Sequence, residues 1–273
     1  MAELIIDSRD CERQYWRDVW TCRELLLFLA WRDILVRYKQ TVLGVAWVVL
    51  RPFVTMVVFT VVFERIANLP GEGTIPYTLM VYAGVLPWQF FSSVLTDAGS
   101  SLTGNAHLIS KIYFPRLIIP AGSLVANFVD FLIAGGVMAL FMSWYGWTPD
   151  WRLLLLPLFT VLAVCGSAGP GLIVAALSAK YRDFRFVVPF LVQFGLFLSP
   201  VGFSSTVIPG KWRLLYACNP LVGIIGGFRW TLLGGESQLS LSDVAISMVA
   251  TLLLLVAGVR CFRQVEKTLA DVI

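Results

Sequence analysis

The chain lacks most of what a soluble enzyme uses for chemistry. It holds one histidine, His107, and only 14% of its 273 residues are Asp, Glu, Lys or Arg. Soluble domains are about half apolar and about a quarter charged. Here 58% of the residues are hydrophobic, so the composition predicts an integral membrane protein. With one histidine and no CxxC spacing among five cysteines, the sequence predicts no metal site.

Nucleotide-binding and catalytic motifs are also missing from the sequence. It contains no G-x-x-x-x-G-K-[ST], DxD, HExxH or GxSxG pattern. We therefore expect the chain neither to hold ATP phosphates itself nor to present the converging acid–base pair that catalysis needs. Its 21 Lys and Arg are spread between apolar runs, whereas nucleic-acid binding uses a basic patch. These absences predict a membrane protein that is not an enzyme, binds no nucleic acid and carries no cofactor of its own.

Six apolar runs predict a single all-α membrane domain over residues 1–273, with six transmembrane helices. A charged and aromatic stretch at residues 8–40 comes first. It predicts an N-terminal amphipathic helix at the membrane interface, with a helix packed on a soluble partner as a compatible alternative. The predicted spans are residues 42–63, 77–96, 117–145, 153–179, 186–203 and 241–259.

The stretch between the fifth and sixth spans, residues 204–235, is too broken for a full crossing. Its apolar run at 221–233 would reach about 20 Å as a helix, against a hydrocarbon core of about 30 Å. Non-helical backbone at membrane depth needs protein or a water-filled cavity around it. The stretch therefore predicts a re-entrant external segment that gates a pathway. An external amphipathic hairpin packed on the bundle is the alternative.

An even number of spans places both termini on the same side of the membrane. Fifteen of the 21 Lys and Arg lie before residue 41, in the segments 97–116 and 180–185, and after residue 259. Positively charged segments stay in the cytoplasm. Both termini are therefore predicted to be cytoplasmic.

Two charged residues, Arg51 and Asp130, fall inside predicted spans. A charge at bilayer depth is costly and is a functional hypothesis by default. The two side chains could pair with each other as a structural bridge between helices. Alternatively, Arg51 lies on a pathway and faces an anionic group of the substrate. The sequence leaves both interpretations open.

Aromatic residues are concentrated on the first and fifth predicted spans. Aromatic faces suit the apolar C–H faces of sugar rings, although phenylalanine on a membrane helix also simply faces lipid. Between spans, residues 110–116 and 180–185 combine aromatic and basic side chains. If the energy source is a soluble partner, these two segments are where it would dock. Ordinary cytoplasmic charge explains the basic residues but not the interleaved Tyr181 and Phe184.

Taken together, seven phrases resemble the membrane subunit of an ABC-2 type polysaccharide exporter, the family that exports lipid-linked O-antigen and related surface glycans. They cover most of the chain in the family's order. The phrases are RDILVRYKQTVLG at 32–44, YAGVLPW at 82–88, KIYFPR at 111–116, YRD at 181–183, LSPV at 198–201, NP at 219–220 and GFRW at 227–230.

The resemblance implies a homodimer in the bacterial inner membrane, bound to two copies of a cytoplasmic ATPase subunit that holds ATP and Mg. It implies an undecaprenyl-type lipid-linked polysaccharide as cargo, besides membrane lipids as surroundings. Channel or substrate-path residues would be Tyr38, Trp47, Arg51, Phe53, Phe59, Phe190, Phe194 and Phe197. ATPase-coupling residues would be Ser110, Lys111, Tyr113, Arg116, Tyr181, Arg182 and Arg185. External-gate residues would be Pro200, Pro220, Phe228, Arg229 and Trp230.

Two other functions compete with polysaccharide export. A membrane-embedded glycan polymerase or transferase would need essential carboxylates on its loops, and these are sparse and scattered singly. An ABC-2 exporter of small lipophilic compounds would share the fold but need no polymer-width aromatic channel. Substitution of Phe190 or Phe194 by alanine would then leave polymer export intact.

Overall fold

A computed structural model describes residues 8–39, 44–69, 71, 73–112, 114–148, 150–181, 183–204, 208–234 and 239–268. Every regular element in these ranges is helical, which confirms the predicted all-α class. A π-helical turn, Thr60–Ile66, extends α3, and a 3-10 turn, Trp151–Leu155, precedes α7. The helices are α1 Ser8–Thr21, α2 Arg23–Lys39, α3 Gly44–Phe59, α4 Tyr77–Gly104, α5 Ala106–Lys111, α6 Ile118–Trp144, α7 Leu156–Lys180, α8 Phe184–Leu198, α9 Gly210–Ala217, α10 Pro220–Leu233 and α11 Leu241–Thr268.

Five helical segments of the described chain, not six, are long and apolar enough to cross a membrane. The predicted fifth span is α8, which has 15 residues and therefore reaches only about 22 Å. It ends at Leu198 because Ser199 adopts an extended backbone, the conformation that a residue before proline prefers. The five segments are Ala46–Ile66, Tyr77–Gly104, Ile118–Trp144, Trp151–Lys180 and Leu241–Lys267.

Helix α4 continues to Gly104, eight residues past the predicted end of the second span. The sequence from Asp97 onwards is polar, and polar runs predict loops. In the structure the hydroxyls of Ser101 and Thr103 donate to carbonyls three residues earlier, at Ala98 and Ser100. Because these side chains satisfy themselves on the helix, the polar composition does not end it.

Helix α11 also outruns its prediction and ends at Thr268 instead of residue 259. The extra residues carry Arg260, Arg263 and Lys267, which look like a basic tail in the sequence. Phe262 among them is buried, with only 1% of its surface exposed. The additional turns of α11 therefore pack against the rest of the protein and do not form a solvent-exposed tail.

The predicted interface helix at 8–40 is two helices, α1 and α2. Leu29 and Ala30 of α2 are buried against Gly122 of α6, where an added Cβ would lie 3.4 Å from the Leu29 Cβ. Large apolar side chains on the other sides of α1 and α2 are exposed, among them Trp20, Phe28 and Trp31. This distribution fits an interfacial helix, and its place at the membrane surface stays a prediction.

One hydrophobic cluster gathers the ends of five helices. It joins Leu29 of α2, Leu102 of α4, Ile118 of α6, Ala176 of α7 and Phe262 of α11, with further members from the same segments. We call this the basal end of the bundle. A larger cluster fills the remainder up to the opposite, distal end, where α4, α7 and α11 begin and α10 ends.

Helices α7 and α11 approach each other at backbone contact. A Cβ added at Gly258 of α11 would lie 2.3 Å from the carbonyl oxygen of Gly169 in α7, so neither position accepts a side chain without a shift. Helix α10 is fixed to α11 in turn, because the Gly223 amide donates to the Ser247 hydroxyl at 2.9 Å. The three helices therefore form one packed unit.

The predicted external segment at 204–235 contains α9 and α10, with residues 205–207 and 235–238 outside the described chain. Most of α10 is buried inside the protein. Phe228 packs edge to face on Phe131 at 5.8 Å between ring centroids, and a Cβ at Gly227 would overlap the Phe159 ring. A short segment that does not cross the membrane is tolerated at membrane depth when it is surrounded by protein, as α10 is. Its re-entrant course through a membrane stays a prediction.

Candidate functional site

A cavity with a volume of about 560 Å³ lies between α3, α4 and α6, with α2 and α8 at its margins. Its wall is mostly apolar, but charged and amide side chains converge on it. Those polar side chains are Arg37, Arg51, Gln89, Asp97, Asn127 and Asp130, and the aromatic ones are Trp47, Phe90 and Phe131.

Arg37 of α2 holds the polar side of this cavity together. Its guanidinium donates to Asp97 Oδ2 at 2.7 Å, to Asn127 Oδ1 at 3.0 Å and to Asp130 Oδ2. The Asn127 amide in turn donates to Asp97 at 2.8 Å. Hydrogen bonds between charged groups are about twice as strong as neutral ones. One arginine thus ties α2 to both α4 and α6.

Tyr38 completes this network from the neighbouring position on α2. Its hydroxyl donates to Asp130 Oδ1. Burial raises the pKa of the Tyr38 phenol, and the hydrogen bond to the Asp130 carboxylate raises it further. The phenol therefore stays protonated and able to donate at physiological pH. The predicted substrate-path residue Tyr38 is thus engaged with Asp130.

Arg51 does not form the bridge to Asp130 that one interpretation of the sequence expects. The carboxylate of Asp130 is taken by Arg37 and Tyr38. Among the described residues Arg51 has no ion pair, and it is exposed on the cavity wall. Arg51 is therefore a cation on the cavity wall without a direct ion pair, although the two aspartates balance the charge of the two arginines over the cavity as a whole.

Sequence reasoning missed three members of the network: Arg37, Asp97 and Asn127. Arg37 lies in the predicted interface helix and Asp97 in a predicted loop. Charged residues are common in both kinds of segment and therefore do not indicate a site. A usable signal was present in the third span, because Asn127 and Asp130 are three residues apart and so share one helix face. Two polar groups on one face of a membrane helix indicate a polar partner.

The predicted path aromatics divide into exposed and enclosed residues. Phe190, Phe194 and Phe197 of α8 are all more than half exposed, and the first two rings lie 4.2 Å apart between centroids. Trp47 on α3 is exposed, and Phe53 stacks on Phe141. Phe59 is instead buried.

Phe59 and Phe63 pack against the turn that follows α8. Their rings meet edge to face at 5.3 Å. A Cβ built on Gly202 would lie 2.5 Å from the Phe63 ring and 3.0 Å from the Phe59 ring, so only glycine fits there. The π-helical end of α3 is thereby packed on the segment that follows α8.

The two predicted ATPase-coupling segments lie at the basal end, where α5 leads into α6 and α7 into α8. Ser110, Lys111, Tyr181 and Arg185 are exposed there, and the Lys180 ammonium lies 5.2 Å above the Tyr181 ring. Arg116 is half-buried, and its backbone amide donates to Glu266 of α11 at 2.8 Å. Tyr113 and Arg182 lie outside the described residues.

At the distal end Arg229 is buried, with 2% of its surface exposed. Its guanidinium donates to three backbone carbonyls: Met80 at 3.1 Å, Val201 at 2.9 Å and Phe203 at 2.9 Å. The Tyr77 hydroxyl donates to a fourth carbonyl, that of Gly202. Arg229 therefore binds the turn after α8 to α4 and α10.

The other predicted gate residues lie in the turn after α8 and along α10. Pro200 is buried in the turn, and Pro220 starts α10 behind the Asn219 cap. The Trp230 ring lies edge to face with Trp151 at 6.3 Å, and the Arg152 guanidinium sits 5.1 Å from its centroid.

The sequence model of the family described as ABC-2 type transporter matches residues 24–233. The chain belongs to the ABC-2 type transporter family. The match begins in α2 and ends with α10, so it includes the cavity, both basal segments and Arg229. Helix α11 lies beyond the matched residues of this transporter chain.

Relatives of this ABC-2 chain carry transport names. An O-antigen export system permease protein RfbA of Klebsiella pneumoniae is 27% identical over 92% of this chain and 95% of its own length. The RfbA of Myxococcus xanthus is 26% identical over 78% of this chain and 82% of its own. Inner membrane transport permease YadH of Escherichia coli K12 is 23% identical over 67% and 74%, respectively.

Proposed function

We propose that this ABC-2 chain is the permease of an exporter that moves an O-antigen-like, lipid-linked polysaccharide out of the cytoplasm. Similarity to the Klebsiella pneumoniae O-antigen export permease across 92% of the chain carries the substrate class. The cavity supports a route for such a molecule, because it combines an arginine without a carboxylate partner with neighbouring aromatic faces. An anionic lipid-linked group and apolar sugar faces match these two features.

In the working assembly two copies of this chain pair in the bacterial inner membrane, and α3 and α8 of both line the channel. Exposed aromatic residues on α8 and α3 support this arrangement. The basal end faces the cytoplasm, since the segments around it hold most of the lysines and arginines. Helix α8 and the buried turn after it make the fifth crossing, α11 makes the sixth, and α9 and α10 form the external re-entrant gate between them.

Energy comes from two copies of a separate ATPase subunit that holds ATP and Mg. The permease lacks the phosphate-binding loop that ATP hydrolysis requires. The exposed basal residues of α5 and of the α7–α8 connection supply the contact surface. An ATPase changes the state of the permease only if it binds two permease conformations with different affinity.

Deletion of the gene in its host tests the exporter function. We expect polymer synthesis to continue while the lipid-linked polysaccharide accumulates on the cytoplasmic side and disappears from the surface. The measurement is membrane fractionation with glycan staining of spheroplasts before and after opening. Re-expression of the wild-type chain is the control and should restore the surface polymer.

Loss of all polymer, inside and outside, would favour the polymerase or transferase function, once feedback on synthesis has been excluded by supplying the precursor. Unchanged surface glycan would remove polysaccharide as the substrate and favour export of small lipophilic compounds.

Arg51→Gln should reduce export of the polysaccharide at least about tenfold while the amount of chain in the membrane stays unchanged. The guanidinium has no carboxylate partner among the described residues, so its loss leaves no carboxylate unpaired. It does remove a charged hydrogen-bond donor from the cavity. Surface polymer per membrane-inserted chain is the quantity to measure.

Arg65→Gln is the matched control, because Arg65 is also an exposed arginine on the same helical segment but lies at its end. Arg51→Lys keeps a charge without the planar fork and should give intermediate export. Wild-type export by Arg51→Gln would show that Arg51 makes no contact that matters to the substrate.

A further inference from the structure

The carboxylate of Glu266, near the end of α11, joins three segments that are far apart in the sequence. Its Oε2 accepts from the Tyr15 hydroxyl of α1 at 2.8 Å. Its Oε1 accepts from the backbone amide of Arg116, just before α6, at 2.8 Å. Both oxygens thus accept from neutral donors, a phenol hydroxyl and a backbone amide.

Further contacts make this junction rigid. The Arg263 guanidinium lies 4.3 Å above the Tyr15 ring, and the Arg116 side chain donates to the Glu266 carbonyl at 3.5 Å. Burial raises the pKa of the Tyr15 phenol, and the neighbouring Glu266 raises it further, so the phenol remains a donor. Phe262, one turn earlier on α11, is buried in the basal cluster.

The junction lies beside an open cleft of about 580 Å³. The cleft runs between α1, the segment from α5 to α6 and the last turns of α11. Its lining includes Tyr15, Ser110, Lys111, Arg116, Arg263 and Glu266. The segment that is predicted to contact the ATPase subunit is therefore the same segment that Glu266 holds.

Helix α11 connects this junction with the distal end. It is in backbone contact with α7 at Gly258 and Gly169, and it is bonded to α10 through Ser247 and Gly223. Helix α10 carries Arg229, which binds the turn after α8. Packed helices and hydrogen bonds therefore form a continuous path of contacts from the basal segment to the distal turn.

We propose that Glu266 is a positioning residue that couples the ATPase-contacting segment at 110–116 to α11, and that α11 transmits the movement to α7 and α10. This inference rests on the proposed function, because it needs an ATPase partner and an exported substrate. The role belongs to the hydrogen-bond geometry of Glu266 and not to its negative charge.

Glu266→Ala tests the coupling role in the full chain, expressed in its host together with its ATPase subunit. Four quantities are measured: chain in the membrane, ATPase subunit recovered with the tagged chain, ATP hydrolysis per recovered complex, and polysaccharide at the surface. We expect the first three to stay within about twofold of wild type. Export per complex should fall at least about tenfold, so that ATP hydrolysis is uncoupled from export.

Glu266→Gln is the conservative variant and should retain most of the export. The glutamine oxygen can accept from the Arg116 amide, and its NH₂ can donate to the Tyr15 hydroxyl. Tyr15→Phe removes one bond and should give an intermediate loss. The double variant Tyr15→Phe/Glu266→Ala should be no worse than Glu266→Ala, since both changes remove the same bond. Glu24→Ala, at an exposed glutamate of α2, is the matched control and should behave as wild type.

Three results would overturn the coupling role. Export per complex could be unchanged in Glu266→Ala. Total export could instead fall in proportion to the amount of recovered complex, which would indicate a purely structural effect of the substitution. Glu266→Gln could fail as badly as Glu266→Ala, which would assign the effect to charge. If the wild-type chain recovers no ATPase subunit, the proposed function fails and not this inference alone.

Discussion

Arg37→Met should destabilise the protein by about 2–4 kcal/mol, because it leaves two carboxylates and an amide without their shared donor. The side chains of Asp97 and Asp130 are only 34% and 19% exposed, so water replaces the arginine poorly. We expect less chain in the membrane and a melting temperature in detergent that is lower by about 5–15 °C. Fluorescence-detected gel filtration after heating measures both.

Two further variants separate this effect from general damage to α2. Arg32→Met changes another arginine of the same helix, which pairs with the adjacent Asp33 and donates to Asn105 at 2.9 Å, and it should cost about 1 kcal/mol because it leaves a single carboxylate without its partner. Arg37→Met combined with Asp97→Asn and Asp130→Asn removes the unpaired charges and should recover part of the lost stability. A single Arg37→Met variant as stable as wild type would show that the network contributes little.

Five of the six predicted spans were predictable, because a long hydrophobic run indicates a helix long enough to cross a membrane. The predicted fifth span was too long, because α8 ends at Leu198, two residues before Pro200. The ends of α4 and α11 were not predictable in the same way. Asp97 stays on a helix because it is bonded to Arg37, 60 positions earlier in the sequence. Phe262 is buried by side chains from four other helices. Contacts with residues so distant in the sequence cannot be recognised from the local composition.

The charged site was predicted in part, for a related reason. Counting residues along a span gives the depth of Arg51 and Asp130, and both do line the same cavity. The depth of a residue in the membrane does not give the direction in which its side chain points. It also does not show that a third charged residue, from outside the predicted spans, contacts the other two. Arg37 is that third charge, and it binds the Asp130 carboxylate that one of the two interpretations assigned to Arg51.

Arg229 illustrates a different limit of sequence reasoning. The resemblance placed it among the gate residues, and a lone arginine in an apolar run does indicate a special role. The partners that its guanidinium binds are backbone carbonyls. Every residue has a backbone carbonyl, whatever its side chain. Sequence patterns therefore could not identify what Arg229 binds.

Arg229→Met should be the most damaging single substitution at the distal end, with a cost of about 3–5 kcal/mol. The carbonyls of Met80, Val201 and Phe203 would each lose a charged donor in a site that excludes water, and an unsatisfied buried acceptor costs about 1–3 kcal/mol. We expect the turn after α8 to detach from α4 and α10. The measurements are membrane yield and thermal stability in detergent, as for Arg37.

Arg213→Met is the control for this experiment, because Arg213 is also a distal arginine but is half exposed and has one ion pair, to Asp243 at 3.2 Å. Its loss should cost about 1–2 kcal/mol, less than that of Arg229, because Arg213 is solvent-exposed although the Asp243 side chain that it pairs with is only 10% exposed. Arg229→Lys should fall between the two, since a compact ammonium cannot span three carbonyls as the planar guanidinium does. If Arg229→Met and Arg213→Met are equally mild, the turn after α8 is held by packing of Phe59 and Phe63 on Gly202, and the arginine is dispensable for the fold.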